Sequence, residues 1–275
     1  MLILIDMLTA LLPLLYGLAA VNYLVFYLRQ EPFAQRTCTP FLTAVFLLHL
    51  TFLIARYIHF ERYPIASLAE AVSVIALAIT GVYLYVERVQ ANKATGVFIV
   101  GLVTLTQLVA SGLLPHMQPT PGDILDVPLL AAHVTTAVLA YSAFGVGAVY
   151  GLMFLLLYRV LKRKTFGLMF ERLPPLDVTA SMGVWANFLG WLLLTVAIAL
   201  GAIMSLRLFP NFYRDPKFVS TLFVWTVYGG ALVAYRWVGW RGARTAALSL
   251  AGFGVAVLAT MGSALLWPTF HSFSG

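Results

Sequence analysis

His133 and His271 are the side chains of this sequence best placed to ligate a metal. A neutral imidazole nitrogen binds iron readily, and two of them on opposite faces of a porphyrin give six-coordinate haem. His133 follows Pro128, the first residue of a long apolar run, by five positions. That is about a turn and a half of helix, or a depth of roughly 8 Å at 1.5 Å per residue. His271 comes a few residues after the last apolar run, behind Trp267 and Pro268. Two such histidines on one side of a membrane could flank a flat ligand lying in one leaflet. Each also has an ordinary role: His133 as a hydrogen-bonding partner of a neighbouring helix, His271 as a solvated tail residue. The residue types alone leave both readings open.

The elements that must position them are membrane helices. A chain that is 61% hydrophobic and 10% charged cannot cover a water-facing surface of its own size. Crossing a hydrocarbon core of about 30 Å takes roughly 20 apolar residues. Eight runs meet that length: Met7 to Leu28, Pro40 to His59, Ser67 to Val86, Gly96 to Pro115, Pro128 to Tyr158, Ser181 to Leu206, Phe218 to Val238 and Ala243 to Trp267. The strand alternation of a membrane barrel is absent. The expectation is an all-α, polytopic transmembrane bundle of about eight helices, forming a single domain over residues 1–275.

Lysine and arginine set the orientation. Twelve of the seventeen basic residues fall in the joints after the first, third, fifth and seventh spans: Arg29, Arg36, Arg88, Lys93, Arg159, Lys162, Arg163, Lys164, Arg172, Arg236, Arg241 and Arg244. Those joints are expected in the cytoplasm and both termini outside, which puts His59, His116, His133 and His271 on the outer side. The net charge of +7 is thereby explained by sidedness, with no basic domain for nucleic acid. The stretch Met1 to Asp6 has neither a positive n-region nor a small-residue cleavage site, so the first run reads as a retained anchor. Cys38, the single cysteine, excludes an internal disulfide or thiol-pair relay. No P-loop, dinucleotide fingerprint, HExxH, GxSxG or CxxCH occurs, and no inverted repeat with paired broken helices points to a transporter.

Other polar residues carry weaker signals. His49 lies mid-span with Arg56 two turns away on the same face, so it is either a membrane haem ligand or, more simply, an interhelical hydrogen-bonding group. His59 and His116 read as loop residues. Ser67 and Glu70 have capping-box spacing at the start of the third span. Arg56, Arg62, Arg207, Arg214 and Lys217 lie outside against the general trend, where they suit haem propionates or lipid phosphates equally. The proline-rich connection PHMQPTPGDILDVP reads as a semi-rigid outer loop. The joint of residues 159–177 is the largest inner segment and a docking surface for a cytoplasmic or membrane partner, unless its basic cluster only touches anionic lipid.

Several stretches, taken in order, resemble the cytochrome c assembly family, the haem-handling membrane proteins of CcsA, CcmC and HemX type. RYIHFERYPIASLAE, from Arg56 to Glu70, is similar to the family's R-W-x-x-x-x-x-F-P-x-x-N-x-x-E stretch. Pro128 to Lys162 resembles its histidine helix, with His133 and Val134 near the outer end. LPPLD, beginning at Leu173, and the helix running to Ser205 resemble the approach to the family's outer loop. Asp215, Pro216 and Lys217 match the D-P-K closing that loop, Trp225 and Tyr228 the W-x-x-Y after it, and the terminal HSF the second outer histidine. The likeness covers about four fifths of the chain. It implies a non-covalent haem b with His133 and His271 as axial iron ligands, lined by Arg56, Glu70, Phe212, Tyr213, Asp215 and Lys217. It also implies residence in a bacterial-type cytoplasmic membrane, and delivery of haem to assembly partners or apocytochrome without catalysis by this chain alone. Two departures stand out. The outer loop is SLRLFPNFYRDPK, with Phe209, Phe212 and Tyr213 in place of tryptophans. No histidine occupies Val233 to Arg236, where haem-exporting members carry one. The first favours a divergent or HemX-like member, and with it a regulatory subunit stabilising a partner; the second implies that the inner haem site is absent or rebuilt. A quinone-binding respiratory subunit, which could also use outer histidines and aromatics, is the remaining reading.

Overall fold

The computed structural model describes residues 2–61, 63–65, 67–90, 92–114, 128–208 and 212–266, excepting the side chains of Gln90, Arg207, Leu208, Phe212 and residues 264–266. Every long apolar run is a helix: α1 (Leu2–Arg29), α2 (Pro32–Phe60), α3 (Leu68–Gln90), α4 (Gly96–Leu113), α5 (Pro128–Arg163), α7 (Leu176–Leu208), α8 (Pro216–Val233) and α9 (Ala243–Leu266), with a short α6 (Leu168–Arg172) before α7. Eight of these are long and apolar enough to cross a bilayer. A helix satisfies its backbone within itself, which a lipid environment demands. The chain is a multi-pass integral membrane protein.

The helix ends differ from the sequence expectation in instructive places. α2 begins at Pro32 rather than Pro40, because a proline in the first turn lacks only an N–H that has no partner there, and the helix absorbs Pro40. α5 runs on to Arg163, bringing Lys162 and Arg163 into its last turn, where cations favour the negative helix end. α6, inside the expected docking joint, was not foreseen.

The helices gather in two compact units. The first holds α1 to α4 and residues 160–174. Each of its four spans packs against two others in the order α1, α2, α3, α4 and back to α1. One end is filled by Ile5, Leu8, Leu12, Phe52, Leu53, Ala69 and Leu114. α4 starts at Gly96 because that site has no room for a side chain: a Cβ there would strike the Tyr23 ring and lie 2.5 Å from the Tyr83 hydroxyl.

The second unit contains residues 120–159 and 175–275, and so α5, α7, α8 and α9. Small residues bring its backbones together, as is common where membrane helices approach closely. A Cβ on Gly147 would strike Asn187 Oδ1, and one on Gly151 would lie 2.7 Å from the Ala246 carbonyl. Asn187 Nδ2 donates to Ser249 Oγ at 2.9 Å, tying α7 to α9. The core is aromatic. Phe144 stacks on Tyr228 with centroids 3.7 Å apart, Trp191 on Trp225 at 5.4 Å, and Trp225 Nε1 donates to Thr195 Oγ1 at 2.8 Å. α8 ends in a π-turn, Ala234–Val238, closed by Gly239 at φ 77°. Leu18, Leu105, Trp185 and Leu258 are among many large apolar side chains left exposed, as a lipid-facing surface requires.

Candidate functional site

His133 sits one and a half turns into α5, facing α7 in the second unit. Its Nδ1 lies 2.7 Å from the carbonyl oxygen of Ala197. A carbonyl can only accept, so Nδ1 carries the proton and Nε2 keeps its lone pair. This is the tautomer a metal-ligating histidine needs, held by the kind of outer hydrogen bond that fixes such rings. Gly201, one turn beyond Ala197, is the platform beneath the ring. A Cβ at that position would lie 2.7 Å from His133 Cε1 and 2.9 Å from Nδ1, so the imidazole occupies the space a side chain would fill.

The segment entering α8 supplies the neighbouring polar groups. Asp215, almost fully buried, caps α8: its Oδ1 accepts from the backbone N–H of Lys217 at 2.9 Å and of Phe218 at 3.2 Å. Pro216 at the first helical position completes the start signal. The cap places Lys217 within electrostatic reach of His133. Tyr213 is exposed, with the Arg214 guanidinium 5.7 Å from its ring centre. Further in, Tyr141 on α5 accepts a hydrogen bond from Thr260 of α9 at 2.8 Å.

Arg56 and Glu70 meet in the first unit. Arg56 Nη2 donates to Glu70 Oε1 at 2.5 Å, and the guanidinium lies over the Phe60 ring at 4.9 Å. The capping box is present in full: Ser67 N donates to Glu70 Oε2 at 3.1 Å, and Glu70 N to Ser67 Oγ at 3.2 Å. Arg56 Nε is buried and has no hydrogen-bond partner among the described residues. His49 is fully buried and both ring nitrogens are engaged, Nδ1 with the Tyr16 hydroxyl at 3.0 Å and Nε2 with Ser73 Oγ at 2.9 Å. Both ring nitrogens are thus engaged across helices, which leaves none for iron. His59 is exposed beside Phe60. His271, His116, Phe209 and the outer loop of residues 115–127 lie outside the described residues, as does the Phe212 side chain. Among the described residues, no group of three or more His, Cys, Asp and Glu side chains can hold a bare metal ion.

The sequence reading did not identify Ala197 and Gly201, because a backbone acceptor and a glycine carry no chemical signature of their own. It also put Glu87 in a joint, whereas α3 extends to Gln90 and buries it.

An eight-span bundle presenting a preset imidazole near one helix end is the class of protein these observations define. The chain matches the family model described as "Cytochrome C assembly protein" over residues 39–271, and it belongs to the cytochrome c assembly protein family. Similar proteins include Protein HemX of Brevibacillus brevis, 26% identical, covering 78% of this chain and 79% of the relative. Another is the cytochrome c biogenesis protein CcsA of Synechococcus elongatus, 24% identical over 80% of this chain and 81% of the relative. The CcsA of Synechococcus sp. strain JA-3-3Ab is 27% identical, with 80% of each chain covered.

Proposed function

We propose that this protein holds a non-covalent haem b between His133 and His271 at the outer face of a bacterial-type cytoplasmic membrane, for delivery to a partner in cytochrome c assembly. The observation that carries this reading is the hydrogen bond from His133 Nδ1 to the Ala197 carbonyl, which leaves Nε2 as an iron-ready nitrogen. The family match supports it by spanning both histidines and ending at His271. Haem would supply the iron and the cargo, and the chain's own residues have distinct tasks. His133 and His271 would hold the iron through their ring nitrogens. Asp215 holds the start of α8, from which Lys217 would meet a propionate, and the exposed Tyr213 would offer its ring to the porphyrin edge.

The test is the absorption spectrum and pyridine haemochrome of protein purified in mild detergent, for wild type, His133→Ala and His271→Ala. The expected result is a b-type signal in the wild type that falls in both variants while protein yield holds. Unchanged haem in both variants would overturn the reading. Wild type that stays haem-free after haem is supplied favours the partner-stabilising role, supported by the likeness to HemX and by the exposed Phe166 and Phe170 beside Lys162, Arg163 and Lys164. Under that role, reversing the charges from Lys162 to Lys164 abolishes capture of the partner.

A further inference from the structure

The first unit contains a column of buried polar side chains that the haem reading does not use. At its centre, Thr80 Oγ1 is 3.2 Å from the Tyr16 hydroxyl, Tyr16 is 3.0 Å from His49 Nδ1, and His49 Nε2 is 2.9 Å from Ser73 Oγ. Ser73 donates to Gln107 Oε1 at 3.1 Å, and Gln107 Nε2 donates to Ser111 Oγ at 3.2 Å. These bonds link all four helices, and Tyr16, His49, Ser73, Thr80 and Gln107 are each at most 1% exposed. The directions are mutually determined. Because the Ser73 proton goes to Gln107, Ser73 accepts from His49 Nε2–H, which leaves Nδ1 to accept from Tyr16. From Tyr16 to Gln107 the donors therefore point one way, while the Thr80 hydroxyl also has a shorter bond, 2.7 Å, to the Ala76 carbonyl.

A carboxylate lies at each end of this chain. Towards the inner side, Glu87 is 3% exposed and accepts from the Tyr23 hydroxyl at 2.6 Å and from Thr39 Oγ1 at 2.5 Å. Towards the outer side is Glu70, in its pair with Arg56. Glu70, Ser73, Thr80 and Glu87 all project from the buried face of α3. The seventeen residues from Glu70 to Glu87 rise about 25 Å, most of a hydrocarbon core. The gaps are one turn between Glu70 and Ser73, and two turns between Thr80 and Glu87 with Tyr83 between them. At roughly 5 to 10 Å, they are the length of one to three waters.

We propose that the first unit is a transmembrane proton relay running between Glu87 and Glu70 through Tyr16, His49 and Ser73. A proton released at the Glu87 end passes to the Thr80 hydroxyl, which turns from the Ala76 carbonyl to donate to Tyr16, and Tyr16 donates to His49 Nδ1. His49 gives up its Nε2 proton to Ser73, and Ser73, once its hydroxyl turns from Gln107, gives one up towards Glu70. One proton enters, one leaves, only O–H and N–H bonds are exchanged, and rotation of the hydroxyls and imidazole restores the chain. Gln107 lies off this path, because an amide does not readily pass a proton on. Bracing of the bundle explains the column less well. Interhelical hydrogen bonds in membranes contribute only about 0.6 kcal/mol each, well-packed apolar side chains serve a core at least as well, and intramembrane ionisable chains are typical of proton paths.

The experiment is proton influx into liposomes containing the full-length protein and entrapped pyranine, driven by a potassium gradient and valinomycin. Wild-type vesicles should acidify roughly tenfold faster than protein-free ones, with His49→Leu and Tyr16→Phe returning to the empty-vesicle rate. Tyr16→Phe removes one oxygen and carries the test alone if His49→Leu does not fold. Gln107→Leu should lower the melting temperature and keep the flux, and the lipid-facing Thr51→Val should keep both. The proposal is overturned if wild type is no faster than empty vesicles, if Tyr16→Phe keeps its flux, or if Gln107→Leu loses flux as fully as Tyr16→Phe, the pattern of a brace.

Discussion

The Ala197 carbonyl and the missing side chain of Gly201 do for His133 what a ligand position needs: one holds the proton on Nδ1 and so leaves the Nε2 lone pair free, the other makes room for the ring. This leads to a test that leaves His133 itself intact. Gly201→Ala puts a methyl group 2.7 Å from His133 Cε1, within a separation real Cβ atoms do not tolerate, so the ring must turn or α5 and α7 must part. The expected outcome is haem content, read as Soret absorbance per protein, falling by more than half with assembly near normal; full haem occupancy would show that the ring is free to move. A second residue-scale prediction concerns Arg56. Removing one partner of a buried ion pair typically costs about 3–5 kcal/mol, and the 12% exposure of Arg56 lowers that towards about 2 kcal/mol. Arg56→Ala should therefore reduce the melting temperature clearly, and adding Glu70→Gln should recover part of the loss, because the stranded charge goes with it. A purely additive double variant would mean that the pair does not couple.

Helix ends and helix faces show which parts of the fold the sequence made legible. The eight spans follow directly from apolar run length, and the Ser67–Glu70 capping box from its spacing, because both signals are local. The start of α2 was misplaced at Pro40 since a proline is equally able to open a helix or to sit inside one, and only packing distinguishes the cases. The buried column of the first unit was legible in principle. Tyr16 and Tyr23, His49 and Arg56, and Ser73, Thr80 and Glu87 each repeat at seven residues, the interval that returns to the same helix face. The hold on His133 was not legible, because carbonyls line every helix, α7 carries Gly183, Gly190 and Gly201, and only the fold selects these two. The element-scale prediction concerns the cap of α8. Asp215→Ala removes the acceptor for two backbone N–H groups and should destabilise by about 1 kcal/mol, whereas Asp215→Asn should retain most of the stability. Thermal unfolding in detergent reads both. Because the cap also sets the Lys217 position, haem affinity should drop in the alanine variant more than in the asparagine variant.

At the scale of the whole molecule, the proposed function depends on sidedness, since a haem held at one helix end is useful only on the side where its acceptor waits. Twelve cations in alternate joints point those joints to the cytoplasm. The expected arrangement has the start of α5, the start of α8 and the α2–α3 joint outside. In that arrangement the proposed proton column would have Arg56 and Glu70 outward and Glu87 inward. Cys38 makes this frame easy to check, because it is 1% exposed and a buried thiol inside a bundle does not meet an aqueous reagent. Intact cells producing the wild type should therefore give no signal with a membrane-impermeant maleimide. In the same background Glu61→Cys and Tyr213→Cys, at exposed positions of the outer joints, should label from outside without permeabilisation. Lys164→Cys and Phe166→Cys should label only after the membrane is opened. The reverse pattern would move His133 to the cytoplasmic side, and delivery at the outer face would then fall however well the protein binds haem. The relay would survive the inversion with its direction reversed, so this labelling experiment separates the two proposals as well as orienting them.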